Sequence, residues 1–298
     1  MKALGKEIEH LDLHGVKYDD KILNEIVKIK TLRSMHNIWI GQNVLSTMTE
    51  HCDKLESIMI DAKQGIKPVL DRFFQERGEK LKSLKIYGPG WLVKDDLLEN
   101  LYFCQNLEEL TLDYLGKHSN LKSIVNLQKL KKLYLVRLFH EPTEQLLHMF
   151  RNMNRSNLTQ IFLDVSAGYM FLQTVSKLDF PVLERFYVRL RAQYGPDFYH
   201  WVRTSAINLM VEKCPKIKSI QIYGDVINNH RLSEELMEDF YLKKGIYVDF
   251  RFCKENQDRM EKYLKHQSPD ERMKYQKIKD ELDQFENNCG IIDTHYNQ

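Results

Sequence analysis

Apolar residues recur along the chain in a short motif in which the first, fourth and sixth positions are apolar. Successive copies start 24, 23, 26, 26, 23, 28, 25 and 34 residues apart. Repeats of 20 to 29 residues are typical of solenoid proteins, so the spacing predicts a repeat architecture. The copies, the second of them looser than the rest, are Ile8/Leu11/Leu13, Leu32/Met35/Ile38, Leu55/Ile58/Ile60, Leu81/Leu84/Ile86, Leu107/Leu110/Leu112, Leu130/Leu133/Leu135, Leu158/Ile161/Leu163, Leu183/Phe186/Val188 and Ile217/Ile220/Ile222.

Each copy predicts a short strand, because its last two apolar residues are two positions apart and therefore point to the same face. Most copies are followed by apolar pairs one helical turn apart, which predict a helix. One such unit has too few apolar side chains to offset the entropy of ordering its backbone, so neighbouring units must share a core. The helical runs are Ile22/Leu23/Ile26/Val27, Val69/Leu70/Phe73/Phe74, Leu97/Leu98/Leu101, Leu121/Ile124/Val125, Leu146/Leu147/Phe150, Phe171/Leu172/Val175, Ile207/Met210/Val211 and Leu236/Met237/Phe240.

This alternation predicts an α/β fold, a leucine-rich-repeat solenoid whose curved parallel sheet lines the concave side and whose helices line the convex side. About nine repeats occupy residues 1–253, and the alternating Ile246/Val248/Phe250/Phe252 predicts a closing strand. Residues 254–298 hold ten acidic and eight basic side chains with little apolar content, so they are expected to form a charged helical cap or tail.

The nearly equal numbers of basic and acidic residues limit the classes of partner that we expect. Lys plus Arg number 44 and Asp plus Glu 42, which leaves a net charge of +2. We therefore expect neither nucleic acid nor a membrane surface as a partner. Neither a secretory leader nor a run of eighteen apolar residues is present, so the expected location is the cytoplasm or nucleus.

The five cysteines suggest packing and not chemistry, since none forms a Cys-x-x-Cys pair. Cys52, Cys104 and Cys214 each lie three residues before the first apolar position of a repeat, where other repeats hold apolar residues. We expect buried, reduced thiols at these positions, and neither a metal site nor a cofactor.

The unit from Cys104 to Leu112 resembles the cysteine-containing leucine-rich repeats of F-box proteins, the substrate receptors of cullin-RING ubiquitin ligases. The resemblance spans roughly residues 8–252 and implies a protein-binding scaffold that recognises substrates for an SCF-type ligase. An F-box of forty-odd residues would precede the repeats, but here the first strand begins near Ile8. The Skp adaptor and cullin are therefore expected partners only of a longer form. The alternative is a stand-alone scaffold or inhibitor without a ligase connection.

A protein ligand is expected on the concave face, which receives the strand residues that alternate with the buried ones. Aromatic residues recur there beside charges, a composition that interface hot spots favour. The alternative is that tyrosine merely suits exposed strands. The candidate binding residues are Tyr87, Asp113, Tyr134, Phe162, Asp164, Tyr187, Arg189 and Tyr223, with Tyr194 and Tyr199 from an insertion in the longest interval.

The sequence lacks a glycine-rich phosphate loop, a Gly-x-Ser-x-Gly elbow and a His-Glu-x-x-His pair. We therefore expect no catalytic residues and no enzymatic activity.

Overall fold

The computed structural model describes residues 8–13, 17–36, 40–62, 65–88, 96–114, 121–138, 143–165, 169–190, 204–224 and 246–249, with isolated positions between 265 and 276. Within these ranges ten parallel strands pair strictly in chain order to form one open sheet. The strands are β1 (His10–Asp12), β2 (Ser34–His36), β3 (Ser57–Asp61), β4 (Ser83–Tyr87), β5 (Glu109–Asp113), β6 (Lys132–Leu138), β7 (Gln160–Val165), β8 (Arg185–Leu190), β9 (Ser219–Gly224) and β10 (Tyr247–Asp249).

Helices lie between the strands. In the described ranges the α-helices are α1 (Asp20–Ile26), α2 (Gln42–His51), α3 (Lys67–Arg77), α4 (Thr143–Asn152), α5 (Tyr169–Val175) and α6 (Thr204–Lys213), and three 3₁₀ helices cover Gly78–Lys80, Leu101–Phe103 and Leu121–Asn126. This alternation of parallel strands and helical segments at a repeat of about 25 residues is a leucine-rich-repeat solenoid, as the sequence predicts.

Equivalent residues of successive repeats stack in register. Leu84, Leu110, Leu133, Ile161, Phe186 and Ile220 are Cα partners on neighbouring strands. All six are buried in one continuous core with the apolar residues of the helices. The predicted apolar motif is thus confirmed as the face of the sheet that packs against the helices.

Three helical predictions need correction. The predicted runs did not include α2, although Val44, Leu45 and Met48 are buried along its length. The runs at Leu97–Leu101 and Leu121–Val125 were expected to be ordinary helices, but they end in or form 3₁₀ turns. Apolar residues spaced by three eclipse in a 3₁₀ helix, so the same leucines reach the core without an α-helix.

Gly78 lies where two neighbouring repeats approach each other closely. A Cβ atom at this position would lie 3.0 Å from Cys104 Sγ and 3.2 Å from the backbone of Phe103. The tight packing explains why a residue without a side chain ends α3.

The closing strand is confirmed in part, since β10 pairs with β9 through Tyr247 and Ser219. The predicted helical run at Leu236–Phe240 and the insertion around Tyr194 and Tyr199 lie outside the described residues, as does nearly all of the segment 254–298.

Candidate protein-binding surface

The strand residues that alternate with the core leucines share the other face of the sheet, which we call the second face. They form three rows that run across the strands. The first row contains Ser57, Ser83, Glu109, Lys132, Gln160, Arg185 and Ser219; the second contains Met59, Lys85, Thr111, Tyr134, Phe162, Tyr187 and Gln221; and the third contains Asp61, Tyr87, Asp113 and Val136 on β3 to β6, then Asp164, Arg189 and Tyr223 on β7 to β9.

The sequence analysis placed the aromatic residues of the second row on an exposed binding face, but in the structure they are buried. Tyr134 is 4% exposed, Phe162 0% and Tyr187 6%. These three residues and Val136 form a hydrophobic cluster separate from the main core. The rings of Phe162 and Tyr187 stack with centroids 4.0 Å apart. These aromatic residues therefore pack against one another on the second face. Their direct contact with a partner remains a prediction.

The carboxyl ends of β4, β5 and β6 bring together a partly exposed group that we call the Arg137 cluster: Tyr87, Asp113, Tyr114 and Arg137. The Arg137 guanidinium donates two hydrogen bonds to the Asp113 carboxylate, from Nε to Oδ1 and from Nη2 to Oδ2, both 2.8 Å long. The same guanidinium carbon lies 5.5 Å from the ring centroids of Tyr87 and of Tyr114. The two rings are stacked with centroids 6.3 Å apart.

The electrostatics of the Arg137 cluster favour the charged guanidinium. The hydrogen bond to Asp113 raises the pKa of Arg137, and the nearby Tyr87 and Asp164 add to the effect in spite of partial burial. The Asp113 side chain is only 6% exposed, whereas that of Arg137 is 40% exposed. A buried carboxylate thus fixes a cation that presents part of its surface to solvent.

Two residues of the Arg137 cluster have a left-handed backbone conformation, which residues other than glycine rarely adopt. Tyr114 has φ 58° and Arg137 has φ 53°. This conformation lowers the stability of the fold by on the order of 1–2 kcal/mol at each of the two residues. Arg137 lies where the register between β6 and β7 shifts, between Leu135 and Leu138. The bulge lets Val136 and the next residue, Arg137, both serve the second face, since strict alternation would turn Arg137 toward the helices.

The remaining predicted residues are placed as follows. Asp164 is 1% exposed and is the Cα partner of Arg189, which in turn is the partner of Tyr223. The side chain of Tyr223 lies outside the described part of the structure, as do Tyr194 and Tyr199. The structure therefore brings Tyr87 and Asp113 together and leaves the binding roles of the other residues as predictions.

The sequence analysis missed a row of charges at the residues that immediately precede the strands, which we call the charge ladder. Its signs alternate along the described strands from β1 to β9, except that the uncharged Thr159 precedes β7, and the uncharged Ile246 precedes β10. Arg33 bridges Glu9 and Glu56 at 3.2 and 2.7 Å. The further pairs are Glu56 with Lys82 at 2.9 Å, Glu108 with Lys131 at 2.7 Å and Glu184 with Lys218 at 2.8 Å.

The backbone sets the register of the charge ladder, because the ladder carbonyls from Glu9 to Glu184 each accept two N–H groups from the next repeat. The Glu56 carbonyl, for example, accepts from Lys82 at 2.8 Å and Ser83 at 3.0 Å. The ladder could be found in the sequence once the strand register is known, by reading the residue before each strand.

The three cysteines among the described residues pack in the core, as predicted. Cys52, Cys104 and Cys214 are 1%, 0% and 0% exposed. Burial raises the pKa of each thiol to about 12. The Cys52 thiol donates to the carbonyl of Val27, 3.0 Å away, in the preceding repeat.

The described residues contain no group of three or more His, Cys, Asp or Glu side chains arranged to hold a metal ion. Among the described helices, none is long and apolar enough to cross a membrane.

Comparison with known proteins gives a fold likeness alone. No family model and no curated protein matches the chain. Among solved structures the chain is similar to one described as the complex of Rad7 and Elc1 in yeast. The identity is 13%, the match covers 85% of this chain and 83% of that chain, and the TM-score is 0.39. The fold assignment above rests on the strand register and the repeat spacing.

Proposed function

We propose that the chain is a protein-binding repeat scaffold whose partner docks on the second face at the Arg137 cluster. The observation that carries the proposal is the pair of stacked rings, Tyr87 and Tyr114, beside a guanidinium fixed by Asp113. Tyrosine and arginine, together with tryptophan, are enriched among the few residues that dominate binding energy at protein interfaces. The proposal includes no catalytic step.

The rigidity of the Arg137 cluster supports this role. Two parallel hydrogen bonds hold Arg137, and neighbouring strands hold Tyr87 and Asp113 in register. A side chain that is already ordered loses little conformational entropy when a partner binds, and this preserves affinity. The two left-handed residues are consistent with the same view, since local backbone strain concentrates at functional sites.

We further propose that the partner is a substrate protein and that the chain presents it to an SCF-type ubiquitin ligase. The support is the resemblance of the repeats to those of F-box leucine-rich-repeat proteins, together with the burial of Cys52, Cys104 and Cys214 at equivalent helix ends. In this proposal the Skp adaptor and cullin bind through an F-box of a longer form.

The alternative is a stand-alone scaffold or inhibitor.

The test is affinity purification of the protein from its own cells, tagged at the carboxyl terminus in its own gene so that any longer form is recovered, followed by mass spectrometry. The double variant Tyr87→Ala/Tyr114→Asn should lose the partner, because it removes both rings while Asn tolerates the left-handed backbone. The control is Tyr102→Ala, which removes a 43% exposed tyrosine on the 3₁₀ helix Leu101–Phe103. Circular dichroism of all variants checks that each one is folded.

The outcomes separate the proposals. Loss of one protein from the double variant but not from Tyr102→Ala supports the scaffold. Skp adaptor and cullin peptides that remain with every variant support the ligase role, and their absence supports the stand-alone alternative. A set of bound proteins that is the same for all three chains contradicts the proposed site.

A further inference from the structure

A second surface lies at the amino ends of the strands, where an open groove runs across the segments that precede β2 to β6. Its volume is about 670 Å³. Nine of its ten lining residues are charged, and the tenth is Asn106. We call it the lysine groove. The Arg137 cluster lies at the carboxyl ends of the same parallel strands, so the two surfaces are separate.

Most carboxylates of the lysine groove are already paired with a cation. Among the four that line it, only the exposed Glu79 side chain has no partner in the described part of the chain. The other three are neutralised by neighbours inside or beside the groove. The pairs are Asp53 with Arg77, Glu56 with Arg33 and Lys82 at 2.7 and 2.9 Å, and Glu108 with Lys131 at 2.7 Å.

Three exposed lysines of the groove, in contrast, lack a carboxylate. Lys80 Nζ donates to the main-chain carbonyl of Asp53 at 2.8 Å, and Lys129 Nζ donates to the amide oxygen of Asn106 at 2.6 Å. These neutral acceptors hold the ammonium groups in place but leave their charge unbalanced. Lys54 has no side-chain partner among the described residues. The described lining therefore has three unbalanced cations against one unbalanced anion.

The three lysines form a row because they occupy the same position in their repeats. Each lies directly before the first apolar residue of the motif, in the repeats that contribute β3, β4 and β6. Neighbouring strands are about 4.8 Å apart, so the row spans roughly 14 Å. An extended peptide advances about 3.3 Å per residue, so four or five residues cover the row.

We propose that the lysine groove binds an extended acidic segment of a partner protein. Aspartate or glutamate side chains of the segment accept hydrogen bonds from Lys54, Lys80 and Lys129. The two lysines that are already held by Asp53 and Asn106 lose little conformational entropy on binding. The inference does not depend on the proposed function, because it uses none of the residues of the Arg137 cluster.

Glu79 favours a peptide over a nucleic acid as the ligand. A phosphate backbone has a negative charge at every nucleotide and is repelled by an unbalanced carboxylate, and the whole chain has a net charge of only +2. A peptide places its acidic side chains beside the lysines and its backbone N–H groups beside Glu79. The mixed charges of the groove are therefore complementary to a peptide.

The probe is a fluorescein-labelled peptide of six glutamates, titrated with the full chain at low salt and followed by fluorescence anisotropy. We expect this peptide to bind and a peptide of six glutamines not to bind. The variant Lys54→Gln/Lys80→Gln/Lys129→Gln should weaken binding about tenfold or more, because it removes three exposed ion pairs that each contribute a factor of a few.

The matched control removes the same charge elsewhere, in the variant Lys21→Gln/Lys177→Gln/Lys216→Gln. All three are exposed lysines without a side-chain partner among the described residues, and Lys216 occupies the position of the groove lysines in a distant repeat. This control should bind within about twofold of the wild type. Circular dichroism checks that both variants are folded. Equal weakening in the two variants overturns the proposal, because net charge alone would then explain binding.

Two further results also overturn the proposal. One is a wild-type chain that does not bind the glutamate peptide. The other is a labelled oligothymidylate of twelve nucleotides that binds more tightly than the peptide and is lost in the groove variant, which would make the groove a nucleic-acid surface. The variant Tyr87→Ala/Tyr114→Asn should bind the glutamate peptide as the wild type does, so failure of the groove leaves the proposed function standing.

Discussion

Arg137 and Asp113 are joined across β6 and β5 by two parallel hydrogen bonds of 2.8 Å each. The pair fixes the position of a partly exposed guanidinium against two tyrosine rings. It does so with a carboxylate whose side chain is only 6% exposed, so the anchor is shielded from solvent while the arginine is not.

The first prediction concerns this pair. In a double-mutant cycle of Arg137→Lys and Asp113→Asn, we expect a coupling free energy of about 1 kcal/mol in urea unfolding. The value is modest because the arginine side chain is 40% exposed and therefore screened by water. Lysine keeps the charge but cannot form two parallel bonds, so it isolates the geometry. Additive effects of the two changes would contradict the prediction.

The left-handed backbone of Tyr114, at φ 58°, leads to the second prediction. Both Tyr114→Asn and Tyr114→Val remove the ring, but only asparagine tolerates this backbone well. We expect the valine variant to be less stable than the asparagine variant by about 1–2 kcal/mol in urea unfolding. Equal stabilities would mean that the backbone at this position is not left-handed in solution.

The sequence predicts the strands well because each strand repeats the same apolar spacing, and stacking repeats reinforce that signal. Of the Arg137 cluster it predicts Tyr87 and Asp113 but misses Tyr114 and Arg137. Strict alternation places Val136 on the second face and would turn Arg137 toward the helices, and only the β6 bulge changes this. Tyr114 follows β5 and enters the site through a positive φ that its residue type disfavours.

The sequence also does not predict that the aromatic residues of the second row are buried. Alternation places Tyr134, Phe162 and Tyr187 on the second face correctly, and their register is as predicted. Alternation reports only the direction of a side chain, however, and not whether neighbouring groups cover it. Contacts between residues far apart in the chain decide that second question.

The third prediction concerns Gly78. Gly78→Ala should lower the free energy of unfolding by about 1–3 kcal/mol, because the new methyl group would lie 3.0 Å from Cys104 Sγ and 3.2 Å from the Phe103 backbone. Gly41→Ala is the matched control, since a Cβ atom there has no neighbour within 4 Å. Urea unfolding measures both changes. A Gly78→Ala variant as stable as Gly41→Ala would argue against the close approach.

The fourth prediction concerns the charge ladder. The hydrogen bond from Lys82 holds the pKa of Glu56 below its usual value. Burial opposes this effect, but the charges of Lys82 and Arg33 and the hydrogen bond from Arg33 also lower the pKa. Because the folded-state pKa is lowered, the stabilisation is present above the pKa of Glu56 in the unfolded chain. It is lost as the pH falls through the lower folded-state value.

Accordingly, the Glu56→Gln variant should lose less free energy of unfolding than the wild type as the pH falls from about 5 to about 3. The two losses should differ by under about 1 kcal/mol. Unfolding in urea at a series of pH values measures the free energy of unfolding of both proteins. Glu79→Gln, a change at an exposed glutamate of the 3₁₀ helix Gly78–Lys80, serves as the control. Parallel pH profiles for wild type and Glu56→Gln would show that the ladder contact is absent in solution.

The fifth prediction concerns the thiols. Burial raises the pKa of Cys52, Cys104 and Cys214 to about 12, so at pH 8 roughly one thiol in ten thousand is the reactive thiolate. Iodoacetamide at pH 8 should therefore leave these three residues unmodified in the native protein and alkylate them in urea. Mass spectrometry of the tryptic peptides measures each site separately. Rapid alkylation of Cys104 in the native protein would contradict its place between two repeats, where the absence of a side chain at Gly78 leaves room for the sulfur.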